Sequence, residues 1–247
     1  MTVLVLGGTG EARELAAALV ADGMTVVSSL AGRVARPRLP QGETRVGGFG
    51  GIDGLADHLR TQAVRAVVDA THPFAATISE HAAQACGRVG VPLLRLARPG
   101  WASEPEAPRW HWVDDHACAA RTAAGLGRRV LLTTGRQRLA EFTGPLTDHD
   151  VLARVVDPVE VPLPARWQVL LDRGPYALVG ERELMERQRT EVLVTKDSGG
   201  HHTRAKLDAA GALGVAVVVV RRPAPPAGVR TVSDVAAARR WLSAPPG

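Results

Sequence analysis

Short runs of valine and leucine alternate along the chain with longer stretches in which apolar residues recur every three or four positions. The first pattern predicts buried strands and the second amphipathic helices, and their alternation predicts βαβ units with parallel sheets. In the first part the expected strands are Val3–Leu6, Thr25–Ser29, Thr44–Val46, Ala66–Ala70 and Pro92–Leu96. The expected helices there run from about Glu11 to Ala21, Ile52 to Thr61 and Phe74 to Val89. The stretch from Arg98 to Pro108, with three prolines, a glycine and no periodicity, reads as a linker. A second set of strands follows near His111–Val113, Val130–Thr133, Asp150–Val155, Trp167–Asp172, Glu191–Thr195 and Val215–Val220. Helices are expected at Asp115–Ala124, Arg136–Phe142, Ala177–Gln188 and Thr203–Leu213, then a strand at Val229–Val232 and a helix at Asp234–Ser243. The fold class is α/β, with domains expected at 1–103 and 104–247.

Val113, Asp115, Ala117, Ala119 and Arg121 match Val232, Asp234, Ala236, Ala238 and Arg240 in order and spacing. Each copy is a short strand running into an Asp-capped helix. Chance in an alanine-rich chain is the simpler account. The alternative is two related α/β units in which an edge element crosses between domains.

At 247 residues the chain is long enough to bury a real core, and 45% hydrophobic with 22% charged residues is ordinary for a globular protein. No apolar run is long enough to span a bilayer, and the first strand begins with no signal peptide before it, so membrane contact is not expected. The net charge is +5, and of the thirty basic residues only Lys196 and Lys206 are lysines. Most of these arginines read as solvated surface, although guanidinium groups also grip carboxylates and phosphates. The basic residues are dispersed, which argues against nucleic acid. Cys86 and Cys118 have no metal spacing, the adjacent His201-His202 rarely point at one ion, and no metal is expected. A reducing cytoplasm fits.

Gly7-Gly8-Thr9-Gly10-Glu11-Ala12-Arg13 follows the first strand and opens the first helix. Glycines let the backbone turn sharply and let a pyrophosphate approach, while the helix start offers unpaired N–H groups. Thr9 can add a hydroxyl donor. Arg13 stands where a third glycine is usual, so Ala12 is left to permit close packing. The end of the second strand, Ser28-Ser29-Leu30-Ala31-Gly32-Arg33, carries no carboxylate for a ribose hydroxyl. Ser29 and Arg33 suit a 2′-phosphate instead, which favours NADPH over NADH. At Asp69-Ala70-Thr71-His72-Pro73-Phe74, Thr71 suits an N-cap, Pro73 a first helical turn and His72 either the cofactor or its own turn.

These motifs, with Arg95-Leu96-Ala97-Arg98-Pro99-Gly100-Trp101, Leu132-Thr133-Thr134-Gly135-Arg136 and Val194-Thr195-Lys196-Asp197-Ser198-Gly199-Gly200, resemble the precorrin-6A reductase family in order and over nearly the whole chain. The resemblance implies two Rossmann-like parallel-sheet domains with the active site between them, the first binding NADPH and the second contributing to substrate binding. It implies reduction of one macrocycle double bond of precorrin-6A to precorrin-6B in cobalamin biosynthesis. The cobalt-containing substrate of the anaerobic pathway shares the motifs and is the alternative, and a non-catalytic NADPH sensor is another. Transient hand-over to the next pathway enzyme is a further expectation.

Since the substrate carries many carboxylates, Arg95, Arg98, Thr134, Gly135, Arg136, Lys196, Ser198, Gly199, Gly200 and Thr203 are its candidate contacts, with Trp101 as a nearby aromatic face. Gly7, Gly8, Thr9, Gly10, Glu11, Ala12, Ser29, Arg33, Thr71 and His72 are the candidates for the cofactor. The nicotinamide supplies hydride, which leaves the protein to orient two rings and supply a proton; Asp197 and His72 are the candidate donors. A short-chain dehydrogenase needs Tyr-x-x-x-Lys, but Tyr176 is followed at that spacing by Gly180. No G-x-S-x-G supports a hydrolase.

Overall fold

The computed structural model describes residues 1–32, 39–200 and 203–243. In chain order the elements are β1 (Thr2–Leu6), α1 (Gly10–Ala21), β2 (Thr25–Leu30), β3 (Glu43–Val46), α2 (Gly51–Thr61), β4 (Ala66–Asp69), α3 (Ala76–Val89) and β5 (Leu93–Leu96). There follow β6 (His111–Val113), α4 (His116–Leu126), β7 (Arg129–Leu132), α5 (Ala140–Thr143), β8 (Asp150–Val155), β9 (Trp167–Leu171) and α6 (Leu178–Arg187). Last come β10 (Val192–Lys196), α7 (Ala205–Leu213), β11 (Ala216–Val220), β12 (Arg230–Val232) and α8 (Val235–Ser243).

The strands form two six-stranded sheets, ordered β12-β5-β4-β1-β2-β3 and β6-β11-β10-β7-β8-β9. Every pairing is parallel. In both sheets the order reverses beside a central strand, β1 or β7, which is the Rossmann arrangement. The strands are apolar because both faces are covered. On β1, Val3 and Val5 pack on one face with Leu15 and Leu19 of α1, while Leu4 and Leu6 pack on the other with Leu55, Leu59 and Ala82. This alternation is the two-residue period of a strand.

The repeated strand–helix pattern is positional and not chance. β6 with α4 follows the first five strands in sequence yet forms the edge of the second sheet. β12 with α8 follows the second five strands yet forms the same edge of the first. Both helices carry the expected cap: Cys118 N–H donates to Asp115 over 2.6 Å, and Ala237 N–H to Asp234 over 2.7 Å. The expected division therefore shifts. The compact units are Met1–Pro99 with Pro223–Gly247, and Gly100–Arg222. The segment after Arg222 groups with the first unit because β12 extends its sheet beside β5, and Ala238 and Leu242 enter the core formed by Leu15, Leu19 and Leu94. Arg239 also clasps Asp22 with two hydrogen bonds of 2.6 and 2.9 Å.

Three local expectations change. The stretch 98–108 is no loose linker, because Trp101 is fully buried in the core of the second unit. The helix expected over 136–142 is a 3-10 turn, Arg136–Arg138, followed by the short α5. α3 starts at Ala76 and not at Phe74, with Ala75 at its N-cap and no side chain capping it.

Candidate functional site

In the first unit the carboxyl ends of β1, β2 and β4 meet at the glycine turn. Gly7 N–H donates to Ser29 O over 2.9 Å, which tucks the turn against β2. Gly8 has φ +115°, a left-handed conformation, and a Cβ added there would meet nothing within 4 Å. Ala12 is buried and takes the close packing left to it; an added Cβ on Gly7 would lie 3.6 Å from its Cβ. Thr9 caps α1 by accepting from Ala12 N over 3.1 Å, and its hydroxyl donates to Ala70 O over 2.8 Å. That hydroxyl is spent on β4 and is not a donor for a phosphate. The residue that the glycine pattern made look anomalous, Arg13, brings its guanidinium to within 3.9 Å of an added Cβ on Gly10, a cation beside the turn.

Glu11 lies in the first turn of α1, where a carboxylate favours the helix dipole but would oppose an anionic ligand. Burial alone would raise its carboxyl. Its own backbone N–H, Arg98 and the Thr9 hydroxyl outweigh burial and hold it below the usual range. Arg98 reaches both Glu11 oxygens, at 3.0 and 2.8 Å, and neutralises the charge. This pairing, rather than substrate, engages the Arg98 guanidinium.

Arg95 is also engaged internally. It stands beside Asp69 across the β4–β5 register, donates to its carboxylate and to Ser79 Oγ at 2.6 Å, and is buried with it. The other Asp69 oxygen accepts from Thr71 N–H at 3.1 Å and Thr71 hydroxyl at 2.6 Å. Thr71 therefore braces the strand end and does not cap α3. His72 Nδ1 accepts from Phe74 N–H over 3.2 Å, so that nitrogen holds its own turn. Arg33 lies outside the described residues.

In the second unit the equivalent edge is built by the ends of β7 and β10. Thr133 fastens the two strands: its N–H and hydroxyl both donate to Val194 O, at 2.9 and 3.0 Å. Thr134 is buried and its hydroxyl has no hydrogen-bond partner, and Gly135 then turns with φ +84°. Arg136 donates to Pro158 O over 3.1 Å. The half-buried Lys196 ends β10, with its Nζ 4.0 Å from an added Cβ on Gly135. Burial first, then the nearby Arg138 guanidinium, lowers the Lys196 amine to about 8. Beyond it Gly199 and Gly200 are both left-handed, and Thr203 hydroxyl closes the loop on Gly199 O over 2.9 Å. Thr203 precedes α7 rather than opening it.

Asp197 is a clamp. Arg222 Nε donates to one oxygen over 2.9 Å and Nη2 to the other over 3.2 Å, and Trp101 N–H donates over 2.9 Å. Both Asp197 oxygens are filled by these donors, so the side chain serves as a structural clamp. It ties Trp101, near the start of its unit, to Arg222 at the end, and a Cβ on Gly100 would strike it at 2.6 Å. Trp101 is a core residue with Lys206 Nζ 5.2 Å from its ring, not an exposed face for substrate. A second buried ion pair, Arg154 with Glu181 at 2.6 Å, lies beneath Tyr176, whose ring the Arg154 guanidinium covers at 3.9 Å. The sequence reading missed it: Arg154 interrupts an apolar strand just before its last residue, which is the signal that would have found it.

Among the described residues no cluster of metal-binding side chains occurs, and no helix is long and apolar enough to cross a membrane.

Two Rossmann-ordered sheets, each with a glycine turn after its central strand, define a Rossmann-like α/β protein built to receive ligands at strand ends. The family model described as precorrin-6x reductase CbiJ/CobK matches residues 2–243, and the chain belongs to that family. It is 52% identical over 241 residues to a precorrin-6A reductase of Rhodococcus erythropolis, covering 97% of this chain and 96% of the relative. It is 30% identical to a cobalt-precorrin-6A reductase of Salmonella typhimurium, covering 90% and 88%. A solved structure of CobK precorrin-6A reductase superposes with a TM-score of 0.90 at 40% identity, covering 98% of this chain and 96% of that one.

Proposed function

We propose that this protein is the reductase that saturates one carbon–carbon double bond of precorrin-6A in cobalamin biosynthesis, taking hydride from NADPH. The observation that carries the reading is the full-length similarity to precorrin-6A reductases, joined to a glycine turn of the right form at the first strand. Identity of 52% to a precorrin-6A reductase, against 30% to a cobalt-precorrin-6A reductase, supports the substrate without cobalt.

The residues fit a dinucleotide. The open space at Gly8, the positive dipole end of α1 and the Arg13 charge suit a pyrophosphate at the turn. Neutralisation of Glu11 by Arg98 removes the repulsion it would otherwise meet. The end of β2 offers Ser29 and no carboxylate, which suits a 2′-phosphate. When bound, the nicotinamide supplies hydride. The chain's own contribution is to hold substrate carboxylates, for which Lys196, the Gly199-Gly200 loop and the Thr134–Arg136 turn are the contacts in this reading. Arg95 and Arg98 are removed from that set. The free cysteines, Cys86 and Cys118, suit a reducing cytoplasm.

The test is anaerobic incubation with precorrin-6A and either nicotinamide cofactor, following absorbance and mass. A gain of two hydrogens with NADPH consumed, and weaker use of NADH, is expected. Turnover only with the cobalt-containing macrocycle would overturn the substrate assignment. Equal use of the two cofactors would overturn the assignment of NADPH.

A further inference from the structure

The chain has a single tyrosine, and its ring is pinned from three sides. Tyr176 lies in the loop between β9 and α6 and is half-buried. The Arg154 guanidinium lies against one face of the ring, 3.9 Å from its centre. The hydroxyl donates to Asp172 O over 3.2 Å. A Cβ added to Gly174 would come within 3.0 Å of the ring edge, so the glycine leaves the ring its room. Arg154 is fixed in turn: it donates to Glu181 Oε1 over 2.6 Å, and both residues are buried. Glu181 Oε2 is buried with no hydrogen-bond partner. A buried ion pair left partly unsatisfied adds little to stability and often costs some. What this pair does achieve is to hold a guanidinium flat under an aromatic ring.

The ring stands at the edge where open parallel sheets receive ligands. Arg154 is the next-to-last residue of β8, and the Tyr176 loop follows the carboxyl end of β9. The same segments carry Val156, Leu171, Leu178 and Val179, all exposed. Single exposed apolar side chains are ordinary, but several grouped at one row of strand ends mark a contact surface. The first unit repeats the device. Phe49, between β3 and α2, has the Arg45 guanidinium 3.9 Å from its ring centre. β3 and β9 hold the same place in the two sheets. An arginine-backed ring ahead of the next helix therefore belongs to the plan of both units.

We propose that Tyr176 is a substrate-binding residue, its ring stacking on the conjugated macrocycle and setting its affinity. The inference rests on the precorrin-6A reading. The guanidinium draws the ring's electron density toward one face. The other face then suits an electron-rich conjugated system, which stacks at little conformational cost on a ring already held still. β8 lies next to β7, about 5 Å away, so the ring and the Thr134–Arg136 turn share one row of strand ends. Arg136 ties the two by donating to Pro158 O in the loop after β8. A flat macrocycle edged with carboxylates matches that row: an aromatic face beside a turn for acidic side chains.

Tyr176→Leu removes the ring and keeps apolar bulk. Its KM for precorrin-6A should rise about tenfold or more, the scale of losing one stacked ring, with NADPH affinity within about twofold of wild type. Tyr176→Phe keeps the ring over Arg154 and should hold KM within about threefold. Because the chain has one tyrosine, protein grown on fluorotyrosine gives a single fluorine NMR signal. Precorrin-6A without cofactor should shift that signal, and NADPH alone should not. An unchanged KM in Tyr176→Leu would overturn the proposal. Equal loss of NADPH affinity in that variant would do so too, since it marks a ring that only supports the fold. A fluorine shift with NADPH alone would assign the ring to a base of the cofactor instead and overturn it as well. If Tyr176→Leu does not fold, the fluorine signal decides. If wild type fails to reduce precorrin-6A, the substrate reading falls and this proposal with it. If wild type turns over while the bound macrocycle leaves the fluorine signal unmoved, only the proposal falls.

Discussion

Lys196 and Arg95 were both read from sequence as cations waiting for substrate, and burial separates them. Arg95 is neutralised where it stands: Asp69, Ser79 and Thr71 complete a network that sets the end of β4. Removing one partner of such a pair leaves a buried charge, so Arg95→Met should cost about 3–5 kcal/mol in urea unfolding. The folded fraction of that variant should show little change in substrate KM. Lys196 is held charged in an environment that disfavours its charge. Its folded pKa of about 8 lies below its unfolded value near 10.5. The unfolded state therefore binds more protons between those values. The cost to stability is full below about pH 8 and fades as pH rises through about 10.5. Lys196→Met should raise stability at pH 7 by up to about 3 kcal/mol, with the gain shrinking above pH 8 in denaturant titrations. No alternation or motif reports such neighbours. Asp69 and Arg95 are 26 residues apart and meet only through strand register.

At the scale of elements, periodicity placed nearly every strand and helix, because buried parallel strands and amphipathic helices differ so clearly in spacing. It failed where few residues are ordered by distant partners. Trp101 sits in a segment of prolines with no repeat, and its burial depends on β10 and β11 packing over it. The β1 turn was legible as a glycine pattern, but the use of Thr9 was not, since its acceptor, Ala70, is 61 residues away. Thr9→Val should cost about 1 kcal/mol from the lost cap, and more from the lost tie to β4, measured by thermal unfolding. Gly8→Ala adds strain from φ +115° and places a methyl in the open space of the turn. Its NADPH affinity, measured by fluorescence titration, should fall about tenfold or more while substrate affinity is unchanged; that size corresponds to losing roughly one to two backbone contacts.

Across the whole molecule, the sequence held a clue to the architecture that its composition disguised. An alanine-rich match at five positions is weak evidence alone. Its meaning becomes clear only when β6 and β12 take the same place in two sheets of the same order. A division at one linker could not find this, because long-range pairing and not local pattern assigns the last segment. Deleting the chain after Arg222 should therefore damage the unit at the opposite end of the sequence. The deletion should expose Leu94 and Leu96 on the first sheet and abolish NADPH binding with the β1 turn unaltered. Retained NADPH binding would contradict that dependence.

The central claim is that these strand-end turns serve a reductase acting on precorrin-6A with NADPH. The most direct measurement is single turnover of the purified protein with both compounds under anaerobic conditions, read by mass and absorbance together. A product heavier by two hydrogens, formed as NADPH is oxidised in equal amount, is the predicted result. An unchanged macrocycle, with both compounds bound, would contradict the account.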